Sequence, residues 1–419
     1  MACEVHTGVN DIFTKNQIHH ILKQSLGVAN FQLIACDKRP AMTGMAGFLG
    51  DHFRVTLHVK VDGFDEKIKL FVKSVPVCNA PKAEFINMNG YYKREMVAFQ
   101  LSEEMRGAEG PNPWCAKAYL CNERILVMPD LALDGYRTFM NHEVLDLKHT
   151  LLTTASIARF HASFANYVTR RTLHDKSFDF TREYSNVLTE PTFCDSPWLR
   201  AAAKLTVNLL KAFSDRFDQY PQDLEPTLVK QFIDACAILR EYEETLNVLL
   251  HKDLWVNNIM FKYSGDVPIN ALLIDFQCIR LGPPAFDLMV FLYLTTVKKF
   301  RERYEQEIFN HYFTIFSETV DIDTKNRLKE LNYNLNAFVG WCERSRMFAI
   351  FEAIGILPYV LMDPTTAQKT FDDPATFVKY CDEDRSEPVL AYCRKSNVYM
   401  ERQLEVNEEF VERYVLKQL

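Results

Sequence analysis

The stretch from His251 to Asp275 reads HKDLWVNNIMFKYSGDVPINALLID. It contains the spacing His251-x-Asp253-x-x-x-x-Asn258. The apolar run that ends at Leu250 predicts a helix, and the residues after Asp253 predict a loop. Two short β-rich runs follow, separated by a Ser-Gly-Asp turn, and they predict a hairpin. This hairpin would bring Asp275 back to the neighbourhood of Asn258.

These polar side chains match the needs of phosphoryl transfer. The transition state is loose, so the protein mainly positions groups and neutralises charge. We assign Asp253 as the catalytic base beside the acceptor hydroxyl, and Asn258 and Asp275 as ligands of Mg²⁺. A buried hairpin with polar caps is the alternative. A lone His-x-Asp is a weak motif, whereas the full pattern followed by an apolar strand ending in Asp-Phe is specific.

Further upstream, residues 53–61 and 68–72 alternate between apolar and polar side chains and predict two strands joined at Asp62-Gly63. Lys73 ends the second strand, where it could reach the α- and β-phosphates of ATP. A solvated edge lysine is the alternative. Glu95 lies well inside a helical stretch and is the predicted ion-pair partner of Lys73. An exposed glutamate paired with a nearby lysine is the alternative there.

Two segments predict further contacts with the nucleotide. The first contains Gly44 and Gly47, and glycines let backbone amides approach phosphates; an ordinary turn is the alternative. The second follows the apolar strand that ends at Met128, and we interpret it as the hinge between two lobes, where adenine would bind backbone groups. Pro129 offers a carbonyl but no N–H group, and Leu131 can offer an N–H group.

The chain predicts three regions. Residues 1–40 are predicted to be an N-terminal helical extension, 41–131 a nucleotide-binding N-lobe, and 132–419 a helical C-lobe with the catalytic loop and an acceptor-binding region. Residues 170–240 contain no motif, so an acceptor-binding insertion could lie there. A long helix is predicted to contain His161 as a core histidine.

Asp287 follows Asp275 after only eleven residues. That separation leaves no room for a long activation segment, which argues against protein-kinase activity. Asp287 begins an apolar run and is predicted either to cap a helix or to brace the catalytic loop. The sequence leaves both roles open.

Composition limits the remaining classes. The chain has 419 residues, 48% of them hydrophobic, with a net charge of −7, which argues against non-specific nucleic-acid binding. Eleven cysteines without CxxC pairs suggest reduced thiols. No signal peptide is visible, and the best apolar run, 288–297, is too short to span a membrane. We therefore expect a cytoplasmic protein without nucleic-acid or membrane partners.

Several motifs together resemble one family. They are Leu254-Trp-Val-Asn-Asn-Ile, Ile274-Asp-Phe-Gln, Gly282-Pro-Pro-Ala-Phe-Asp-Leu, Ala158-Arg-Phe-His-Ala, Met128-Pro-Asp-Leu-Ala, Lys93-Arg-Glu and Phe71-Val-Lys. They resemble the ecdysteroid kinase-like family of arthropods, which is similar to choline kinases and aminoglycoside phosphotransferases. The resemblance covers roughly residues 40 to 330.

The resemblance implies an α+β, two-lobed protein-kinase-like fold, with a small antiparallel β-rich N-lobe and a larger, mostly helical C-lobe. It implies the same roles for Asp253, Asn258 and Asp275, and it places Lys73 on the phosphates of ATP with Glu95 as its partner. The implied reaction is phosphorylation of a hydroxyl on a small, often lipophilic molecule, such as an ecdysteroid or a dietary or foreign compound.

Two departures and two alternatives accompany this interpretation. Lys252 stands where the family usually has glycine, and Pro129 stands where the hinge usually begins with glutamate. One alternative is a non-catalytic nucleotide-binding module on a kinase fold. The other is a choline- or aminoglycoside-type kinase, whose cationic acceptor would need acidic or aromatic walls near Asp253.

Overall fold

A computed structural model describes residues 12–28, 30–41, 47, 49–105, 112–139, 144–190 and 192–418. Short 3₁₀ and π-helical turns connect some of its regular elements. In chain order these elements are α1 (Lys15–Leu26), β1 (Gln32–Pro40), β2 (Asp51–Val61), β3 (Phe64–Ser74), α2 (Ala80–Met88), α3 (Tyr91–Met105), β4 (Leu120–Asn122), β5 (Ile125–Pro129), β6 (Tyr136–Arg137), α4 (Leu147–His174), α5 (Phe180–Glu183), α6 (Pro197–Phe213), α7 (Leu224–Ala237), β7 (Val248–Leu250), β8 (Ile259–Ser264), β9 (Val267–Leu273), β10 (Arg280–Gly282), α8 (Ala285–Thr295), α9 (Lys298–Thr319), α10 (Ile322–Glu330), α11 (Leu335–Val360), α12 (Pro364–Phe371), α13 (Ser386–Cys393) and α14 (Asn397–Tyr414).

The N-terminal part is a five-stranded antiparallel sheet in the order β1-β2-β3-β5-β4. The predicted hairpin of β2 and β3 is confirmed, and Gly63 adopts a left-handed φ of 88° in its turn, a conformation that glycine accepts without strain. Alternation buries Val55, Leu57 and Val59 on one face. The apolar side of α1 packs against that same face, which gives this sheet its own core.

The helical extension predicted over residues 1–40 is only partly correct. Within it, α1 begins after Thr14, whose side chain accepts the N–H of Gln17, and ends at Gly27 with a left-handed φ of 71°. The segment Gln32–Pro40 is not helical but forms β1, which pairs with β2 along its length. As an edge strand with mostly exposed side chains, β1 lacks the apolar alternation that would have indicated a strand.

The C-terminal part is mostly helical, as predicted. Every residue of α8 is buried, and this helix packs against α11 at the centre of the core. The run ending at Leu250 is not the predicted helix, because Val248–Leu250 forms strand β7 paired with β10. The hairpin of β8 and β9 is confirmed, and β6 extends it to three strands. The observed architecture is thus the predicted α+β arrangement of an antiparallel sheet followed by a larger helical region.

Several contacts join the sheet region to the helical region, and two of them lie at separated places. The first is the covalent connection after Pro129, where the Asp130 N–H donates to the Lys69 carbonyl at 3.1 Å. The second lies at the start of α2, where the Lys82 ammonium pairs with the Asp372 carboxylate at 2.8 Å and the Asn79 amide donates to the Asp372 carbonyl at 3.0 Å. The two regions are therefore connected at separated points.

Two further predictions concern the whole chain. No disulfide joins the cysteines of the described ranges. Within those same ranges, no single helix combines the length and the apolar composition needed to cross a membrane, although α11 and α12 meet both criteria jointly, as a pair bent by 99°.

Candidate active site

Asp287 holds the loop between β7 and β8 in place. This carboxylate accepts the backbone N–H groups of His251 at 2.6 Å and Lys252 at 2.7 Å. Lys252 adopts a left-handed φ of 67°, so the chain turns sharply there. Asp287 lies within α8 rather than at its N-cap, which is Pro284. Of its two predicted roles, the structure therefore supports bracing of the loop.

Two histidines add hydrogen bonds around the contact between Asp287 and the loop. His161 is fully buried and shares hydrogen bonds with Asp287 at 3.0 Å and with the Tyr312 hydroxyl at 2.7 Å. Its predicted role as a satisfied core histidine is confirmed. His251 donates from Nε2 to the Ile274 carbonyl at 2.9 Å, and burial lowers its pKa. This bond ties the loop to the end of β9.

The hairpin brings the three predicted catalytic and metal-binding residues together. The Asn258 amide nitrogen donates to the Asp253 carbonyl at 2.7 Å and to its carboxylate at 3.0 Å. The Ile274 N–H donates to the Asn258 carbonyl at 3.0 Å, so Asn258 and Asp275 lie at adjacent strand ends. Asp275 adopts a left-handed φ of 70°, a strained conformation of the kind that concentrates at functional sites.

Lys73 occupies the centre of a buried cluster. Its ammonium donates to Glu95 at 2.9 Å, to Asp275 at 2.7 Å and to the Gln277 side chain at 3.0 Å. Burial alone would lower the pKa of Lys73, but Asp275 and Glu95 outweigh it and raise that pKa above its usual range. The pairing of Lys73 with Glu95 is confirmed, and the solvated edge lysine is excluded because β3 lies between β2 and β5.

Gln277 was not assigned a role from the sequence. Its position two residues after Asp275 was the available signal, because such spacing can direct both side chains to the same side of an extended segment. The roles of the whole cluster toward a nucleotide remain predictions.

Burial and the nearby charge of Asp275 together raise the pKa of Asp253 to about 7, against the opposing effects of Lys252 and Asn258. A general base works best when its pKa lies near the working pH. The environment of Asp253 is therefore suited to accept a proton from a hydroxyl group at neutral pH.

The donor set suits Mg²⁺ shared with phosphates. Mg²⁺ prefers oxygen ligands and is usually bound by one or two carboxylates together with substrate phosphates. Lys73 occupies one Asp275 oxygen, and Asn258 bonds through its amide nitrogen, which leaves one oxygen of each side chain for a cation. In the described ranges no cluster of three or more His, Cys, Asp or Glu side chains could hold a metal alone. Asn258 and Asp275 therefore fit an Mg²⁺ ion whose other ligands are phosphate oxygens of a nucleotide.

The predicted phosphate-loop glycines are only partly testable. Gly44 lies outside the described residues, and the contact predicted for Gly47 stays a prediction. A larger residue would not fit at Gly50, because a Cβ atom there would lie 2.9 Å from the Tyr92 hydroxyl and 3.2 Å from Cγ of Lys73. The chain can therefore pass closely over Lys73 at Gly50.

The predicted hinge lies at the end of β5. Met128 and Pro129 belong to that strand and pair with β3, and Leu131 begins a short 3₁₀ turn. The Asp130 side chain accepts the Ala132 N–H at 3.3 Å, which fixes this turn. Contacts of Met128, Pro129 and Leu131 with an adenine base stay predictions.

A cavity that is open on one side adjoins Asp253. Small-molecule sites have mostly apolar walls with a few polar groups. The charged groups here are Asp253, Asp275, Lys252 and Glu352, and Thr192 and Gln277 add uncharged polar side chains. The large walls are aromatic and come from distant parts of the chain: Phe85, Tyr91, Phe193, Trp198, Trp255 and Tyr359.

Glu190 connects this cavity wall to the catalytic loop. Both of its carboxylate oxygens accept from the Lys252 ammonium at 2.6 Å, and Arg280 donates to it at 3.1 Å. It also accepts the N–H groups of Thr192 and Phe193 at 3.0 and 2.8 Å. Burial would raise the pKa of Glu190, but Lys252 and Arg280 outweigh it and lower that pKa. The unusual cation at Lys252 is thus neutralised within the protein.

A lysine paired with a helix glutamate, facing an asparagine and an aspartate at strand ends, is the arrangement of kinase-like phosphotransferases. Residues 44–322 match the sequence model of the Ecdysteroid kinase-like family, a match that covers well over half of the chain. The chain therefore belongs to the ecdysteroid kinase-like family. A search of curated proteins found no match to the sequence.

Solved structures of phosphotransferases resemble the chain weakly. The macrolide 2'-phosphotransferase of Brachybacterium faecium is 12% identical, with a TM-score of 0.31, over 75% of this chain and 89% of that one. The GDP complex of aminoglycoside 2'-phosphotransferase-IIIa is 11% identical, with a TM-score of 0.36, over 94% and 98% of the two chains. At these values the structural likeness adds no argument of its own.

Proposed function

We propose that this protein transfers a phosphoryl group from ATP, with Mg²⁺, to a hydroxyl of a small and mostly apolar molecule, such as an ecdysteroid or a dietary or foreign compound. One observation carries the proposal. Asp253 accepts the Asn258 amide, and it lines an aromatic cavity together with Asp275. A base in that position can serve a hydroxyl group held in the cavity.

The proposed reaction needs one proton acceptor and an in-line displacement. The acceptor oxygen forms a bond to the γ-phosphorus of ATP, while the bond from that phosphorus to the bridging oxygen breaks and ADP leaves with its electrons. Asp253 takes the hydroxyl proton. Mg²⁺, held by Asn258 and Asp275, would neutralise charge on the phosphates.

The remaining residues position these groups. Lys73 is kept cationic by Glu95 and Asp275, so it can offer charge to phosphates without changing its protonation. Asp287 fixes the loop that presents Asp253. The aromatic walls around Asp253 exclude water, which favours transfer to the acceptor over hydrolysis.

Mass spectrometry of a mixed panel of hydroxylated compounds tests the proposal. Purified protein, Mg²⁺ and either ATP or GTP are incubated with ecdysteroids, plant phenols and glycosides, choline and an aminoglycoside. A phosphate adduct on an apolar hydroxylated compound is expected. Adducts confined to choline or the aminoglycoside would replace the proposal with the cationic-acceptor alternative.

Two variants separate catalysis from folding. Asp275→Ala should abolish the adduct, whereas Asp266→Asn, an exposed position in the turn of the same hairpin, should leave it unchanged. Nucleotide binding without any adduct, in a panel that includes all these classes, would favour the non-catalytic binding module instead.

A further inference from the structure

The side chain of Tyr92 lies beside Lys73, in a position to which the proposed reaction assigns no role. Tyr92 precedes Glu95 by three residues in α3, so the two side chains share a face of that helix. The Lys73 ammonium lies 5.4 Å from the centre of the Tyr92 ring, and Tyr92 is 3% exposed. A second residue of α3 is therefore buried against the lysine that is predicted to bind phosphates.

The Tyr92 hydroxyl is buried without a hydrogen-bond partner among the described residues. The carboxylates of Glu95 and Asp275 accept from Lys73 and not from this hydroxyl. Buried polar groups are nearly always paired, because leaving one unpaired costs part of its lost hydration. An unpaired hydroxyl beside a predicted binding lysine points to a partner that a ligand brings.

The backbone at Gly50 indicates where that partner would lie. A Cβ atom at Gly50 would lie 2.9 Å from the Tyr92 hydroxyl, 3.2 Å from Cγ of Lys73 and 3.4 Å from its Cε. The hydroxyl and the lysine stem thus face the same point of the chain, directly before β2. Gly50 follows the glycine segment that is predicted to approach phosphates, so the hydroxyl lies next to both predicted phosphate contacts.

The chemistry of these groups favours an anion. Burial raises the pKa of Tyr92 above its ordinary value, although Lys73 opposes this, so the phenol is protonated at neutral pH and can donate an O–H bond. The Lys73 ammonium can only donate. Two donors, one of them cationic, match phosphate oxygens, and Mg²⁺ bound with the phosphates would offset the carboxylate of Asp275.

We propose that the Tyr92 hydroxyl donates a hydrogen bond to a phosphate of the nucleotide, next to the contact predicted for Lys73. Since Lys73 is predicted to reach the α- and β-phosphates, one of these two groups is the acceptor of the bond. The hydroxyl adds no charge to the site, and its hydrogen bond forms only when the nucleotide is present. This inference rests on the proposed function and deepens it by adding a residue that binds the phosphates.

Calorimetric titration of wild type, Tyr92→Phe and Tyr333→Phe with Mg²⁺-ADP and with adenosine tests the inference. Tyr333 provides the matched control, because its hydroxyl is also buried without a partner among the described residues, in the helical core against Phe313 and Phe316. Tyr92→Phe should weaken binding of Mg²⁺-ADP by about tenfold or more, the effect of one lost hydrogen bond to a charged group. Tyr333→Phe should not weaken it. Adenosine lacks phosphates and should bind both variants as it binds wild type.

Thermal unfolding without nucleotide gives a second readout. Removing an unpaired buried hydroxyl should leave the Tm of both variants equal to that of wild type or above it. At one concentration of Mg²⁺-ADP, the nucleotide should then raise the Tm of Tyr92→Phe less than that of Tyr333→Phe, because weaker binding stabilises the folded protein less.

Several results would overturn the inference. Unchanged affinity of Tyr92→Phe for Mg²⁺-ADP would mean that the hydroxyl does not contact a phosphate, and an equal loss of affinity for adenosine would assign its effect to another part of the nucleotide. A Tm lowered in Tyr92→Phe alone would reveal a partner within the protein. Phosphate adducts together with unchanged nucleotide affinity in Tyr92→Phe would leave the proposed function standing, whereas a wild type that binds no nucleotide would overturn both.

Discussion

The two sides of the catalytic loop use buried charge in opposite ways. On the nucleotide side, the Lys73 ammonium has three acceptors, from Glu95, Asp275 and Gln277. On the acceptor side, Asp253 has a raised pKa and Glu352 has an unpaired oxygen. The first side pairs its buried cation within the protein and leaves oxygens of Asn258 and Asp275 for a metal ion, whereas the second has polar groups that a ligand would satisfy. Different variants should therefore disturb one side and spare the other.

The largest difference is expected between Asp253→Asn and Asp275→Asn. Removing the base should lower kcat by about 10²–10⁴-fold and leave nucleotide affinity nearly unchanged. Removing the carboxylate at Asp275 should instead weaken Mg²⁺-dependent nucleotide binding. Steady-state kinetics and calorimetric titration of nucleotide measure both effects. Near-normal turnover in Asp253→Asn would show that the base is assigned to the wrong residue.

Glu190→Gln should destabilise the acceptor side. It removes the counter-charge of Lys252, whose side chain is fully buried, and breaking a buried pair in this way costs about 3 kcal/mol or more. The control is Glu183→Gln in α5, an exposed partner of Arg171, which should change stability by about 1 kcal/mol at most. Denaturant unfolding measures both. Equal small effects would mean that Lys252 is neutralised in another way.

Two glycines of α11 offer a steric test of the cavity wall. A Cβ atom at Gly355 would lie 2.3 Å from the Trp198 ring, so Gly355→Ala should displace that ring and cost about 1–3 kcal/mol. Gly340 has open space around it, so Gly340→Ala should stabilise the helix by up to about 1 kcal/mol. Gly355→Ala should also raise the KM for the acceptor while nucleotide affinity stays constant. A change confined to nucleotide affinity would contradict the division into two sides.

The smallest expected effect is a pH dependence. Asp253 must be ionised to accept a proton, and its pKa is raised to about 7, so kcat/KM should rise with pH below about 7 and level off above it. About one-tenth of the maximal value is expected one pH unit below that pKa. The raised pKa of Lys73 keeps it charged throughout this range. A flat profile of kcat/KM between pH 5.5 and 8.5 would contradict the environment described for Asp253.

The difference between the nucleotide side and the acceptor side also explains which residues of the site could be predicted from the sequence. Asp253, Asn258 and Asp275 come from one hairpin, so their spacing indicates both the structure and the chemistry. Strand alternation placed Lys73 at the end of a strand and helical pattern placed Glu95 in a helix, whereas their roles were inferred from the motif at 251–275. The predicted contact of Lys73 with Glu95 is present in the structure.

The acceptor side offered no such signal. Glu190 and Glu352 are single acids in segments remote from the catalytic loop, and such residues usually indicate a solvated surface. Trp198 and Gly355 meet only after folding. Asp287 illustrates the limit, since a residue at the start of an apolar run is compatible with both a cap and a brace. Only its contacts with the N–H groups of His251 and Lys252 separate the two.

The contact of α2 with Asp372 has a mechanical consequence. The chain leaves the sheet at Pro129 and runs through the helical region to Asp372, whose carboxylate pairs with the ammonium of Lys82 in α2, the helix that follows β3. Covalent and ionic links thus form a closed ring, and the side chain of Lys82 within it is almost fully buried. Rotating one region away from the other would break the Lys82–Asp372 link and the bonds from Lys73 to Asp275 and Gln277, so these links together favour a fixed arrangement of the two regions.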